Sequence, residues 1–257
     1  MAPRLIGMVH LGPLPGAPNF DGDFEAVLKS ACGDTTVLTE AGFDAIMVEN
    51  FGDSPFFSDD VPKITVAAMA RVVTTLRRQT ELPIGVNILR NDALAALAVA
   101  ATCGASFIRV NVLSGTMYTD QGTITGRAAD LARMRAVVGP EIEVYADVFV
   151  KHATPPPGST ITLTAADTYL RGGADALVLS GTATGAPADL DQFAQVRAAV
   201  PGARLVAGSG ASAETIDGIL EYADGAIVGT SIKVGNQTTA PVDPAKAAAF
   251  VKAAIRS

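Results

Sequence analysis

The 257-residue chain has no tryptophan, and cysteine and histidine occur only twice each. Neither Cys32 nor Cys103 belongs to a C-x-x-C pair, and both sit in Ala/Gly-rich helical surroundings. They read as buried free thiols of a protein kept in the reducing cytoplasm rather than as a disulfide framework. Charged residues are scarce at 18%, and the net charge of −7 lacks the basic excess of an ordinary nucleic-acid-binding surface. A local basic pocket for an anionic ligand remains compatible with that balance. Long apolar runs are also missing. The stretch before His10 is too short for a signal-peptide core, and Ala93–Ala101 is far short of a membrane span. What the chain does have is 49% hydrophobic residues, enough to bury a large core.

That hydrophobicity is distributed in a regular alternation. Apolar, strand-like runs fall at Leu5–Val9, Ala45–Val48, Ile84–Asn87, Phe107–Val110, Ile142–Ala146, Ala176–Leu179, Leu205–Ala207 and Ala226–Val228. Nearly continuous apolar runs of this length suit parallel strands covered on both faces. Helical patterns lie between and after them, at Phe24–Ala41, Val61–Thr80, Asp92–Cys103, Arg127–Val138, Leu163–Leu170, Asp189–Ala199, Ala213–Tyr222 and Pro244–Ile255. Several stop at glycine, as expected of helix C-caps. Eight such units predict an α/β fold, a single (β/α)8 TIM barrel spanning residues 1–257, which typically needs about 250 residues. A doubly wound open sheet is the alternative. It would carry a glycine fingerprint in its first strand–helix turn, where this chain instead has His10-Leu11-Gly12-Pro13-Leu14-Pro15-Gly16.

In such a barrel the reacting groups stand where strands end and the following loops begin. Those places are polar here. His10, Glu49, Asp147, Lys151 and His152 are the candidate catalytic residues. Asn50, Asn87, Arg109, Asn111 and Ser180 are candidates for substrate binding. Bland readings stand beside each: asparagine is a common turn former, and a lone histidine often only satisfies a hydrogen bond. Glu49 reads as a general base, a metal ligand or a salt-bridge partner of Arg109. Asp147 alternates with Tyr145 onto one strand face, and an inward carboxylate needs a partner, a metal or a raised pKa. Lys151 reads as a phosphate contact, an acid/base or a solvated lysine. Carboxylates, one histidine and the asparagines could form an oxygen-rich divalent metal site, although no motif demands one and no other cofactor is indicated.

Two glycine-rich turns follow the last two strand-like runs. These are Gly208-Ser209-Gly210 and Gly229-Thr230-Ser231. The loops after strands 7 and 8 of a barrel form the usual phosphate site, where bare glycines and free N–H groups let an anion approach the backbone. Lys233 could support that anion. Three long segments, Asn50–Val61, Leu113–Gly126 and Lys151–Ile161, read as loops over the same face. Phe56-Phe57 in the first could instead serve as an oligomer contact.

Several stretches together resemble the BtpA/SgcQ family. They are Ile6–Gly16, Val48–Asp53, Gly85–Asp92, Phe107–Val112, Ala146-Asp147-Val148 with Lys151-His152, Leu179–Gly185, and the two glycine turns through Lys233. The resemblance covers essentially the whole chain. It implies a barrel of the ribulose-phosphate-binding kind, with one family branch tied to photosystem I biogenesis and another to carbohydrate use. The expected function is an enzyme acting on a small phosphorylated sugar or nucleoside-like metabolite by isomerase, lyase or glycosidic-bond-cleaving chemistry. The alternative is a non-catalytic assembly or stability factor of the photosystem type.

Overall fold

Strands that are apolar on both faces cannot stop at a sheet edge in water, and here they close on one another. The computed structural model describes residues 4–181 and 189–255. Among these residues the strands are β1 (Leu5–His10), β2 (Ala45–Glu49), β3 (Ile84–Asn87), β4 (Phe107–Val110), β5 (Thr116–Thr119), β6 (Gly122–Thr125), β7 (Glu143–Val148), β8 (Ala153–Thr154), β9 (Ala176–Leu179), β10 (Arg204–Ala207) and β11 (Gly225–Val228). Eight of them form a closed parallel barrel in the order β1-β11-β10-β9-β7-β4-β3-β2. The helices are α1 (Phe24–Ala41), α2 (Lys63–Arg77), α3 (Ala93–Cys103), α4 (Ala128–Val138), α5 (Ile161–Ala166), α6 (Leu190–Ala199), α7 (Ile216–Leu220) and α8 (Pro244–Ala254). The expected eightfold βα fold is therefore what the chain adopts.

Alternation along each strand separates two cores. Ile6, Met8, Ala45, Met47, Phe107, Tyr145, Ala176, Val178, Val206 and Ile227 fill the barrel interior. Residues of the opposite parity, such as Val9, Ile46, Val86, Ile108 and Leu205, pack under the helices. Gly85 leaves the space that the Phe107 ring occupies, since a Cβ there would lie 2.3 Å from the ring. The caps follow the local signals: Asp23, Asp92, Asp189 and Asp243 accept N–H bonds at the starts of α1, α3, α6 and α8. Gly42 and Gly104 end α1 and α3 in the left-handed conformation.

Three local expectations are corrected. The seventh helix does not begin at Ala213. Ser212 N–H donates to Thr215 Oγ1 at 2.9 Å, closing a turn that delays the helix to Ile216. The fifth begins at Ile161, capped by Thr160, and runs into a π-helical turn at Asp167–Arg171. The second is shorter than expected at both ends, starting after Pro62. Two of the long segments also carry structure of their own. β5 and β6 form a hairpin within Leu113–Gly126, and β8, from Lys151–Ile161, adds to it as a third antiparallel strand. Thr182–Gly185 of the family-like stretch lies outside the described residues. No helix among the described residues is long and apolar enough to cross a membrane.

Candidate active site

One more step of the alternation carries each barrel strand past its apolar layer and onto the C-terminal rim. The residues two positions beyond Met8, Met47, Gly85, Phe107, Tyr145, Val178, Val206 and Ile227 are His10, Glu49, Asn87, Arg109, Asp147, Ser180, Gly208 and Gly229. Six polar side chains and two glycines thus share one inward ring. Strand register places His10 beside Glu49 and Glu49 beside Asn87.

One arc of the ring is mutually satisfied. Arg109 grips Asp147 through two parallel bonds, Nε–Oδ2 at 2.9 Å and Nη2–Oδ1 at 2.7 Å, with both side chains essentially buried. Asn111 Nδ2 donates to Asp147 Oδ2 at 3.2 Å, and Ser180 Oγ donates to Oδ1 at 3.4 Å. Asn87 Nδ2 reaches Arg109 O and Asn111 Oδ1 at 3.1 and 3.2 Å. Burial opposes the Arg109 charge, but Asp147 outweighs it and holds the guanidinium above its ordinary pKa. The salt bridge expected as one reading of Glu49 and Arg109 therefore goes to Asp147 instead.

The other arc is loosely satisfied. Glu49 Oε1 lies 3.7 Å from His10 Nε2, too long for a hydrogen bond. Burial raises the Glu49 pKa, partly countered by Lys151, Arg109 and Arg90. His10 packs its ring on Phe51 with centroids 5.0 Å apart. Burial, followed by the charges of Lys233 and Lys151, pushes its pKa well below the usual value. It is a neutral imidazole near pH 7. Burial and the Arg109 charge lower Lys151 as well.

A cavity of about 300 Å³ opens over this second arc. His10, Glu49, Arg109 and Lys151 line it on one side, and the two glycine turns line it on the other. Gly208 is required by packing: a Cβ would lie 2.4 Å from Val178 Cγ1 and 2.6 Å from Ser180 Oγ. Gly210 has φ +78°, a conformation that favours glycine. Ser231 Oγ donates to Ala211 O at 2.7 Å and ties the turns together. Among the described residues, the N–H groups of Ser209, Gly210, Ala211, Thr230 and Ser231 make no hydrogen bond, and all five residues line the cavity. Unpaired main-chain donors need water or an anion. Because α7 has only five residues and starts beyond the turn, these loop donors, rather than a helix terminus, make the site suited to an anion.

Not every sequence candidate reaches this cavity. Asn50 is buried off the inner face, accepting from Leu89 N–H at 2.7 Å and donating to Asp53 at 3.0 Å, so it joins the loops after β2 and β3. His152 is exposed, has φ +57°, and is not among the residues that line the cavity. Asn111, with Asp147, lines a second cavity of about 200 Å³ under β5 and α5. Lys233 is not an anion contact: it is buried and pairs with Asp34 at 2.5 Å. Only Phe57 of the Phe56-Phe57 pair is exposed. Asn236 and Met8 also line the cavity. Met8 was readable from its parity with His10, whereas Asn236 is brought in by the fold of its loop. The one group of three clustered carboxylates among the described residues is Asp59, Asp60 and Asp92, in the loops after β2 and β3, outside the cavity lining and partly neutralised by Arg127. The oxygen-rich set expected from Glu49, Asp147 and His10 does not converge, because Asp147 is turned to Arg109.

Comparisons with known proteins place this geometry in a family. The model of the BtpA family matches residues 1–256. An uncharacterized protein of Thermococcus kodakarensis is 50% identical over 89% of this chain and 86% of its own length. The Photosystem I biogenesis protein BtpA of Synechocystis is 42% identical over 97% of this chain and 87% of its own. The putative sgc region protein SgcQ of Escherichia coli is 30% identical over 96% of this chain and 92% of its own. Among solved structures, N-(5'-phosphoribosyl)anthranilate isomerase from Pyrococcus furiosus superposes with a TM-score of 0.59 at 12% identity, over 99% of this chain and 100% of that one. KGPDC from Streptococcus mutans gives 0.62 at 16% identity, over 100% and 99%. At these identities the structures share the fold.

Proposed function

The chain belongs to the BtpA family, and on that premise we propose that it is an enzyme acting on a small phosphorylated sugar or nucleoside-like metabolite. The observation that carries the reading is the five N–H groups of the two glycine turns that make no hydrogen bond among the described residues, on residues that line the same cavity as Glu49, His10 and Lys151. The turns hold the phosphate, and the rest of the molecule lies over the loosely satisfied arc. Its chemistry is proton transfer, in an isomerase, lyase or glycosidic-bond-cleaving reaction. Burial moves the Glu49 carboxyl towards neutrality, where one group can both give and take a proton. Neutral His10 beside it accepts or donates a hydrogen bond, and Arg109, fixed by Asp147, orients a substrate oxygen. The shared fold of phosphoribosylanthranilate isomerase is compatible with this reading.

The test is a thermal-shift series with inorganic phosphate, ribose 5-phosphate, ribulose 5-phosphate and uridine monophosphate, against their unphosphorylated counterparts. Binding raises Tm by mass action. Only the phosphorylated compounds should do so, and Ser231→Glu, which brings a carboxylate to the donors, should abolish the shift. No response to any phosphorylated compound would overturn the reading.

A second reading rests on the Synechocystis relative named as a photosystem I biogenesis protein. It makes the barrel an assembly or stability factor that works through its surface. Full complementation of a strain lacking this chain by a Glu49→Gln variant would favour it over the enzyme.

A further inference from the structure

Lys151 has surroundings that suit a role other than carrying charge. It stands in the loop directly after β7, and its main-chain carbonyl accepts from Arg90 Nη2 at 2.6 Å, which pins the loop where the side chain enters the cavity. Among the described residues its Nζ makes no hydrogen bond and no ion pair. Two guanidiniums, Arg109 and Arg90, and two carboxylates, Glu49 and Asp147, act on it electrostatically, and Arg109 and Asp147 are committed to each other. Lys233, fully buried where Lys151 is half-buried, shows the contrast: its ammonium has a carboxylate at 2.5 Å. Glu49 and Asp147 favour the ammonium, but partial burial and the guanidinium charges outweigh them and hold the Lys151 pKa below its ordinary value, which eases formation of the neutral amine. A neutral primary amine is a nucleophile towards carbonyl carbon.

The geometry points to Lys151 as the amine that condenses with the carbonyl of a phosphorylated ketone or aldehyde held by the two glycine turns. The inference rests on the phosphate reading above and narrows its substrate to an open-chain carbonyl compound. The Nζ lone pair forms the C–N bond while the carbonyl π pair moves to oxygen, which takes up the amine proton to give a carbinolamine. The C–O bond then breaks, and the hydroxyl leaves as water with a proton from the Glu49 carboxyl. Amine, carbonyl and one proton become iminium and water, with no change of oxidation state. The iminium then faces the Glu49 carboxylate across the same cavity, which offsets its charge.

Borohydride trapping tests this directly. The protein is incubated with ribulose 5-phosphate or dihydroxyacetone phosphate, reduced with sodium borohydride, and analysed by intact mass and peptide mapping. One reduced adduct on the Lys151 peptide is expected, with at least a tenfold lower yield from unphosphorylated dihydroxyacetone. Lys151→Met and Lys151→Arg should lose the adduct while keeping the Tm rise with inorganic phosphate. A Tm rise in the wild type without an adduct, or with adducts spread over exposed Lys29, Lys63 and Lys252, overturns the imine and leaves the phosphate reading standing. Loss of the phosphate shift in both variants makes Lys151 a phosphate contact and also overturns the imine. Equal trapping of the unphosphorylated ketone keeps the amine's role and overturns the phosphate reading. Neither adduct nor shift overturns both.

Discussion

Asp147 and Glu49 occupy equivalent inward positions on one ring, yet their surroundings are opposite. Asp147 accepts from Arg109 twice, from Asn111 and from Ser180. The Glu49 carboxylate makes no hydrogen bond among the described residues, and His10 Nε2 lies 3.7 Å from its Oε1. The same division separates Lys233, bonded to Asp34, from Lys151. The difference teaches that polarity at a barrel rim does not mark chemistry by itself. A carboxylate with every lone pair engaged is a positioning group. A buried carboxyl with few partners, on a cavity wall, has protons to exchange.

The largest effect that could break this comparison is in stability. Asp147→Ala leaves Arg109 buried and unpaired and should cost about 3–5 kcal/mol. Glu49→Gln removes no hydrogen bond and, near pH 4 where the folded carboxyl keeps its proton, should change stability by less than about 1 kcal/mol. Urea denaturation of both variants measures the contrast, and equal losses would erase the distinction between the arcs.

The two glycine positions on the ring should differ by less. Gly208→Ala drives its Cβ into Val178 and Ser180 beside the ion pair, for a loss of about 1–3 kcal/mol. At Gly229 the nearest atom is His10 Cε1 at 2.8 Å, facing the open cavity, so Gly229→Ala should lose less. A greater loss at Gly229 would mean that the second arc is the tighter one.

The smallest effect is a pH dependence. The folded Glu49 holds its proton above the unfolded carboxyl value of about 4.3. The folded state therefore binds more protons in that window, and stability declines as pH rises from the unfolded value through the folded one. Glu49→Gln lacks this decline. Its stability relative to wild type should be least favourable near pH 4 and should improve towards neutrality, each unit of pKa shift contributing about 1.4 kcal/mol. A difference between the two proteins that is independent of pH would show that Glu49 is not perturbed.

Much of this is legible in the sequence. Ile84–Asn87, Phe107–Val110, Ala176–Leu179 and Phe24–Ala41 have the boundaries their local patterns predict, because short apolar runs and glycine stops act within a few residues. The hairpin partner Ala153–Thr154 was not legible, since its pairing with Tyr118 and Thr119 crosses more than thirty residues. Asn50 shows a signal that was available: it is one residue past Glu49, and parity alone turns it off the inner face. His152 stands in the same relation to Lys151, with a positive φ that no local pattern announces.

By itself the sequence determined the eightfold alternation, the inward parity of His10, Glu49, Arg109 and Asp147, and the glycines that open the rim after the last two strands. Those follow from periods of two and from the lack of a Cβ, which are properties of the chain read along its length. Tertiary structure alone decided which charges meet. Barrel closure puts β7 next to β4 and leaves β3 between β4 and β2, so Arg109 pairs with Asp147 and Glu49 is left to the cavity. Ion pairing depends on distances across the barrel, and those exist only once the strands have closed.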